Sequence, residues 1–198
     1  NSICMIDVDN VYSPGTVGTN VMGTMRYMAP EVMKGQMKPD ILSDDYSLGV
    51  ILFEMLRLGH PYIGDIVREG PPEMEQAAFH GDLPYVDDMH EIWNSSSDLL
   101  PEDVIFTSLL RDLFRKTFLE GRNNRMRRAT AKEYAVAFLE ASNEMILCCH
   151  CHASFFVDRR YNRPEGYCCP WCSEAGKENC TPLRSEEHTS ELQSLSHL

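Results

Sequence analysis

The stretch Gly23–Met33, GTMRYMAPEVM, decides how the rest of the chain is read, together with two stretches that follow it in order. The first is Ser43–Leu56, SDDYSLGVILFEML, and the second is Arg125–Glu140, RMRRATAKEYAVAFLE. Around them, apolar residues recur at helical spacing in Asp44–Gly59, Pro71–Gly81, Phe106–Gly121 and Ala129–Met145, with Gly, Pro, Asn and Ser between the blocks. The body therefore reads as mainly α. Ser43 or Asp44 can cap the first helix and Gly59 can end it, while Thr130 with Glu133 makes a capping box for the last. His80–Asp103 lacks a clean period and reads as a long acidic loop.

Composition bounds the function. The chain has 198 residues, 43% hydrophobic and 24% charged, enough for one ordinary core and a small appendage. Its longest apolar passage, Gly49–Leu56, is too short for a membrane span and suits a buried helix. A net charge of −12 repels phosphate backbones, which argues against nucleic acid as a partner. The local exception is Gly121–Lys132, where Arg122, Arg125, Arg127, Arg128 and Lys132 form either an anion-binding patch or a solvated loop with one structural arginine. No internal repeat is visible.

Taken in order, the three opening stretches resemble the C-terminal lobe of eukaryotic-type Ser/Thr protein kinases, across roughly residues 3–142. The resemblance implies a fold class that is mainly α, a kinase C-terminal lobe assigned to residues 1–145; residues 146–180, expected to form a small β zinc ribbon from their cysteines, and the 181–198 tail stand apart from it on residues of their own. Gly23, Thr24 and Tyr27 fall in the loop that docks the protein substrate, with the Thr24 hydroxyl marking the Ser/Thr class. Glu31 anchors that loop and needs a buried cation. Arg128 stands at the matching position, and a planar bidentate guanidinium suits a buried carboxylate better than Lys. Asp44 corresponds to the family's aspartate at the start of the central helix, Tyr46 stands where Trp is common, and Gly49 permits close packing.

Upstream, Ile3–Val11, ICMIDVDNV, is similar to the strand and metal-binding turn that kinases usually write Asp-Phe-Gly. Asp7 would hold magnesium on the phosphates of ATP, with Asp9 able to assist; the alternative for Asp7 is a turn cap. Val8 and Asp9 replace the usual Phe and Gly, which puts regulation by flipping this turn in doubt. Ser13, Thr16 and Thr19 are either loop-ordering phosphosites or plain linker. The 198 residues hold no glycine-rich nucleotide loop, no strand lysine and no His-Arg-Asp loop, so the expectation is a gene fragment inactive by itself, from a parent kinase that uses ATP and Mg. The competing class is a pseudokinase scaffold.

The cysteines mark a second module. Seven of eight lie between Cys148 and Cys180, and Cys148-x-x-Cys151 is separated by seventeen residues from Cys169-x-x-Cys172. Two such knuckles can aim four thiolates at one structural zinc, in the manner of a zinc ribbon, with Phe155–Tyr161 and Gly166–Cys169 supplying strands. Cys149, His150, His152 and Cys168 are the substitute ligands, and no role is assigned to Cys180. A disulfide knot is the alternative, but a reducing, cytoplasmic setting and a structural metal fit better. Trp171, Tyr161, Phe155 and Phe156 are contact or mini-core candidates, with the Phe pair favoured as core, and Arg159, Arg160 and Arg163 add local positive charge.

The Asp-x-Asp turn with a terminal ribbon resembles bacterial kinases of stress-response operons, which implies phosphatase and von Willebrand A proteins as partners by analogy. Arg184–Ser194, RSEEHTSELQS, resembles the conceptual translation of a sequencing adapter; the alternative is a natural, polar, disordered tail. Either way the tail is left out of the fold.

Overall fold

The computed structural model describes residues 23–148, 150–156 and 169–172. Asp7, Asp9, Ser13, Thr16, Thr19, Cys149, Cys168, Cys180, the Arg159–Arg163 cluster and the 184–198 tail lie outside the described residues. The described chain is mainly helical, with one two-stranded sheet. No helix among these residues is long and apolar enough to cross a membrane.

Two compact units divide the chain: residues 1–100 with 112–134, and residues 101–111 with 135–198.

In the first unit, a 3-10 turn at Met25–Tyr27 leads into α1 (Pro30–Met33) and then α2 (Ile41–Arg57). The start of α2 corrects the sequence expectation. Its cap is Asp40, whose carboxylate accepts from the N–H groups of Leu42 and Ser43, both at 3.1 Å, while the Asp40 N–H donates to Ser43 Oγ at 2.8 Å. Asp44 therefore sits inside the first turn, not at the cap. Burial of Ser43, Tyr46, Val50, Phe53 and Arg57 follows the period of a helix packed along one face. The end differs too, because Leu58, not Gly59, takes the left-handed conformation with φ 62°. Gly59 serves packing instead: a Cβ there would meet Leu99 Cδ2 at 2.4 Å.

Short helices α3 (Asp65–Arg68) and α4 (Pro72–Phe79) follow. The 80–103 passage is largely irregular, as its lack of period suggests, but it is tied down by a buried Asn94. Its amide donates to the carbonyls of Tyr62 and Pro84 and accepts from Gly64 N–H, so its main polar atoms are satisfied. Beyond α5 (Glu102–Ile105), α6 (Ser108–Arg115) passes into a π-helical segment, Lys116–Glu120, and α7 (Gly121–Asn123). That wider turn carries the buried Thr117 and Phe118.

Phe118 is the hub of the first unit's core. Its ring meets those of Tyr46, Phe53, Tyr62, Tyr85 and Phe114 at centroid separations of 5.7 to 6.2 Å. Such pairs add about 0.5–1.5 kcal/mol each beyond area burial. Gly49 is where α2 comes closest to this cluster, since a Cβ there would lie 3.1 Å from Thr117 Cγ2 and 3.2 Å from the Tyr134 hydroxyl.

Helix α8 (Ala131–Asn143) starts at the expected capping box, with Thr130 N–H to Glu133 Oε2 at 2.7 Å and Glu133 N–H to Thr130 Oγ1 at 3.3 Å. It ends two residues earlier than its pattern suggests. Met145–Leu147 (β1) turns out as strand and pairs antiparallel with Ser154–Phe156 (β2), in the register Met145 to Phe156, Ile146 to Phe155 and Leu147 to Ser154. Within this second unit α5 lies beside β2.

Candidate functional site

Within residues 23–33, the stretch from Arg26 to Glu31 is held to the first unit by side-chain contacts. Ser47 Oγ, from α2, donates to the Tyr27 carbonyl at 2.8 Å, and Arg26 Nε reaches Glu54 of the same helix at 2.5 Å. His60 completes the grip. The Tyr62 N–H donates to its Nδ1 at 3.2 Å, so the proton sits on Nε2, which donates to the Arg26 carbonyl at 2.9 Å. Burial drives the His60 pKa down to about 3, against the opposing effect of that carbonyl. The imidazole is therefore a neutral structural strut, a role its sequence setting gave no sign of.

At the end of the loop the structure brings Glu31 and Arg128 together across 97 positions. The pair is bidentate, with Nη1 to Oε1 and Nη2 to Oε2 both at 2.7 Å. Arg128 also donates to the carbonyls of Leu42 and Gly121 and lies 4.9 Å from the Tyr46 ring centre. Burial works to raise the Glu31 pKa, but the hydrogen bonds from Arg128 and the Glu31 backbone, with the charges of Arg128 and Arg125, hold it below the usual value. The carboxylate stays charged.

Gly23 and Thr24 are exposed and Tyr27 is half-buried. Hydrogen bonding with Glu54 and its negative charge raise the Tyr27 pKa. Asp44 is exposed and has no side-chain hydrogen bond among the described residues; burial of part of the group, with Asp40 and Asp45 nearby, raises its pKa. Its neighbour Asp45 is the buried one, accepting from the Ala131 N–H at 3.0 Å and so tying α2 to the start of α8.

In the second unit, the Sγ atoms of Cys148, Cys151, Cys169 and Cys172 lie within 4.8 Å of one another. The Cys148–Cys172 and Cys151–Cys169 separations are 3.5 and 3.7 Å, and all four thiols are free. Four sulfurs at ~2.3 Å around one zinc stand ~3.8 Å apart, so the quartet fits a tetrahedral S4 site and not a pair of disulfides. The β1–β2 hairpin builds the first knuckle. Cys148 N–H donates to the Ala153 carbonyl, His152 N–H donates to the Cys148 carbonyl, and His152 takes φ 58° to close the turn. N–H groups of Cys151 and His150 point at Cys148 Sγ and lower its pKa to about 6, favouring the thiolate a metal needs. Ile146 and Phe155 form the apolar backing with Cys148 and Cys169, whereas Phe156 is half-buried and Trp171 exposed.

The chain is 32% identical over 93 residues to "Putative serine/threonine-protein kinase/receptor R831" of Acanthamoeba polyphaga mimivirus, covering 41% of this chain and 6% of that protein. It is 38% identical over 63 residues to serine/threonine-protein kinase PknD of Chlamydia felis and 40% identical over 63 residues to that of Chlamydia abortus, covering 29% of this chain and 7% of each relative. The matches thus span only 6% to 7% of these relatives' lengths. The protein kinase domain family matches residues 7–138, well over half of the chain, and the chain therefore belongs to that family.

Proposed function

We propose that this chain is the substrate-docking part of a Ser/Thr protein kinase, whose whole protein transfers the ATP γ-phosphoryl group, with magnesium, to hydroxyls on a protein. The observation that carries the reading is the bidentate Glu31–Arg128 pair, which fixes the end of the 23–33 loop while Ser47 and His60 fix its middle. Phosphoryl transfer depends on positioning more than on covalent help from the protein, so a rigid docking loop is what such a lobe contributes. Asp7 is the proposed magnesium ligand, with Asp9 beside it. The four cysteines hold a structural zinc that leaves no open coordination position, so the ribbon acts in docking, with phosphatase and von Willebrand A proteins as partners by analogy.

The 198 residues alone contain neither a His-Arg-Asp loop nor the family's phosphate-binding lysine, so they should not transfer phosphate. The test pairs the 198-residue chain with the full protein that carries it, assayed with radiolabelled ATP, magnesium and a generic protein acceptor. Turnover by the full protein that Asp7→Ala abolishes, with none from the 198 residues, supports the reading. A full protein that transfers nothing but still captures partners through the ribbon makes it a scaffold.

A further inference from the structure

The basic run at Arg122–Arg128 faces a cavity of about 570 Å³, open to solvent and contained within the first unit. Its walls come from three places: α1 and the residues after it, the turn after α4, and the 122–128 loop. Gly81, with φ 69°, lets the second wall close on the first, for a Cβ there would touch Pro30 Cγ at 3.0 Å.

In a chain of net charge −12 this wall is locally positive. Four cations, Lys34, Arg122, Arg125 and Arg128, meet two carboxylates, Glu31 and Asp82. Asp40 pairs with Arg125 from outside the cavity, which still leaves four against three. Two cations stay available. Arg122 donates only to a neutral acceptor, the Leu83 carbonyl at 2.9 Å, and no carboxylate lies within ion-pair distance of it among the described residues. Lys34 meets Asp82 at 2.7 Å in an exposed pair, of a kind that contributes little in water. Arg125 is paired with Asp40, though its Nη1 has no hydrogen-bond acceptor and is 3.9 Å from Glu31.

We propose that this cavity binds a phosphate monoester carried on a Ser or Thr side chain of a partner protein, with Arg122 and Lys34 making the charge-assisted contacts. A ligand carboxylate could do no more for Lys34 than Asp82 already does from within the chain. A phosphate monoester brings nearly two charges and three acceptor oxygens, so it displaces Asp82 and still has oxygens for the Arg122 fork. The cavity is several times the size of a phosphate group, leaving room for flanking peptide, and one wall directly continues the 23–33 loop. An anionic membrane or nucleic acid would bring its many charges against the −12 of the whole chain, whereas a single phosphorylated residue engages only the local surplus. Binding needs no phosphotransfer, so this proposal stands or falls apart from the kinase reading.

The experiment measures fluorescence anisotropy of the full 198-residue chain with a mixed-sequence phosphoserine peptide pool and its unphosphorylated counterpart, with inorganic phosphate as competitor. The phosphorylated pool should bind roughly tenfold tighter, weaken as salt rises, and be displaced by inorganic phosphate. Arg122→Gln and Lys34→Glu should each lower its affinity roughly fivefold or more. Lys34 is exposed, so its variant keeps the fold even if Arg122→Gln does not, and melting curves check both. Equal affinity for the two pools, or undiminished binding by folded variants, overturns the proposal. So does binding to phosphatidylcholine–phosphatidylserine vesicles without binding to phosphopeptides, which reassigns the cavity to a membrane surface.

Discussion

Removing the Arg128 guanidinium would strand a carboxylate whose side chain is only 13% exposed, and would also leave the Leu42 and Gly121 carbonyls without that donor. Breaking one side of a buried pair costs about 3–5 kcal/mol, and Arg125, 3.9 Å away, compensates for a little of it. Arg128→Ala should therefore lower the unfolding free energy by about 3 kcal/mol in urea titration, with Arg128→Lys recovering only part because it cannot form the fork. An unchanged midpoint would show that the pair adds nothing. His60 makes a second prediction, in pH. Its folded pKa of about 3 lies below the ordinary 6.5, so the unfolded chain binds the proton first as pH falls. Stability is full above 6.5 and declines below it, by up to about 1.4 kcal/mol per pH unit. Between 6.5 and the glutamate value of 4.5 the decline should shrink in His60→Gln, which keeps a donor for the Arg26 carbonyl but does not titrate. The same slope in that variant would reject the assignment. Glu31 and Arg128 were legible as a pair because both stand in motif positions; His60 was not, because a lone histidine after a glycine signals nothing until the fold buries it.

The helix ends show where pattern gives way to geometry. Around the start of α2 the chain offers Asp40, Ser43, Asp44 and Asp45, any of which can cap, and periodicity alone cannot choose among them. The backbone turns at Asp40, so Ser43 becomes its capping-box partner and Asp45 is freed to hold the Ala131 N–H. Two carboxylates and a hydroxyl that look equivalent in the sequence thus take separate jobs, while Asp44 makes no side-chain hydrogen bond among the described residues. At the other end, Gly59 drew the reading because glycine suits a left-handed residue, yet that conformation falls on Leu58, 72% exposed, while Gly59 is occupied with Leu99. Leu58→Gly should relieve about 1 kcal/mol of left-handed strain, offset by the extra chain entropy of glycine, for a net gain of roughly 0.5 kcal/mol in denaturant unfolding. Gly59→Ala should do the reverse, since its methyl has to displace Leu99. A loss of stability in Leu58→Gly would mean that the exposed leucine makes contacts worth more than the strain. The β1 strand was missed for a related reason: Met145–Leu147 continues an apolar helical pattern, and only its pairing with Ser154–Phe156 makes it a strand.

For the whole molecule, the two units differ in what holds them. The first has an aromatic core centred on Phe118. Among the described residues, the hairpin and knuckles of the second bury only Ile146, Phe155, Cys148 and Cys169, little apolar surface to set against the entropy of ordering them. The cysteine spacing made this quartet readable in advance because two Cys-x-x-Cys pairs leave few other uses, and the thiols converge at separations a tetrahedral ion would set. Metal binding should then supply most of the folding free energy of the hairpin and knuckles, on the order of 10 kcal/mol in comparable sites. Purified chain should carry one zinc per molecule under reducing conditions. Stripping it with a chelator should abolish hydrogen-exchange protection in 145–156 while the amides of α2 stay protected, because α2 draws on its own core. Cys169→Ser with Cys172→Ser should lose the metal and the hairpin protection together. Stoichiometry near zero in the native chain would remove the site, and full zinc content in the double variant would pass the ligand role to His150, His152 or Cys168.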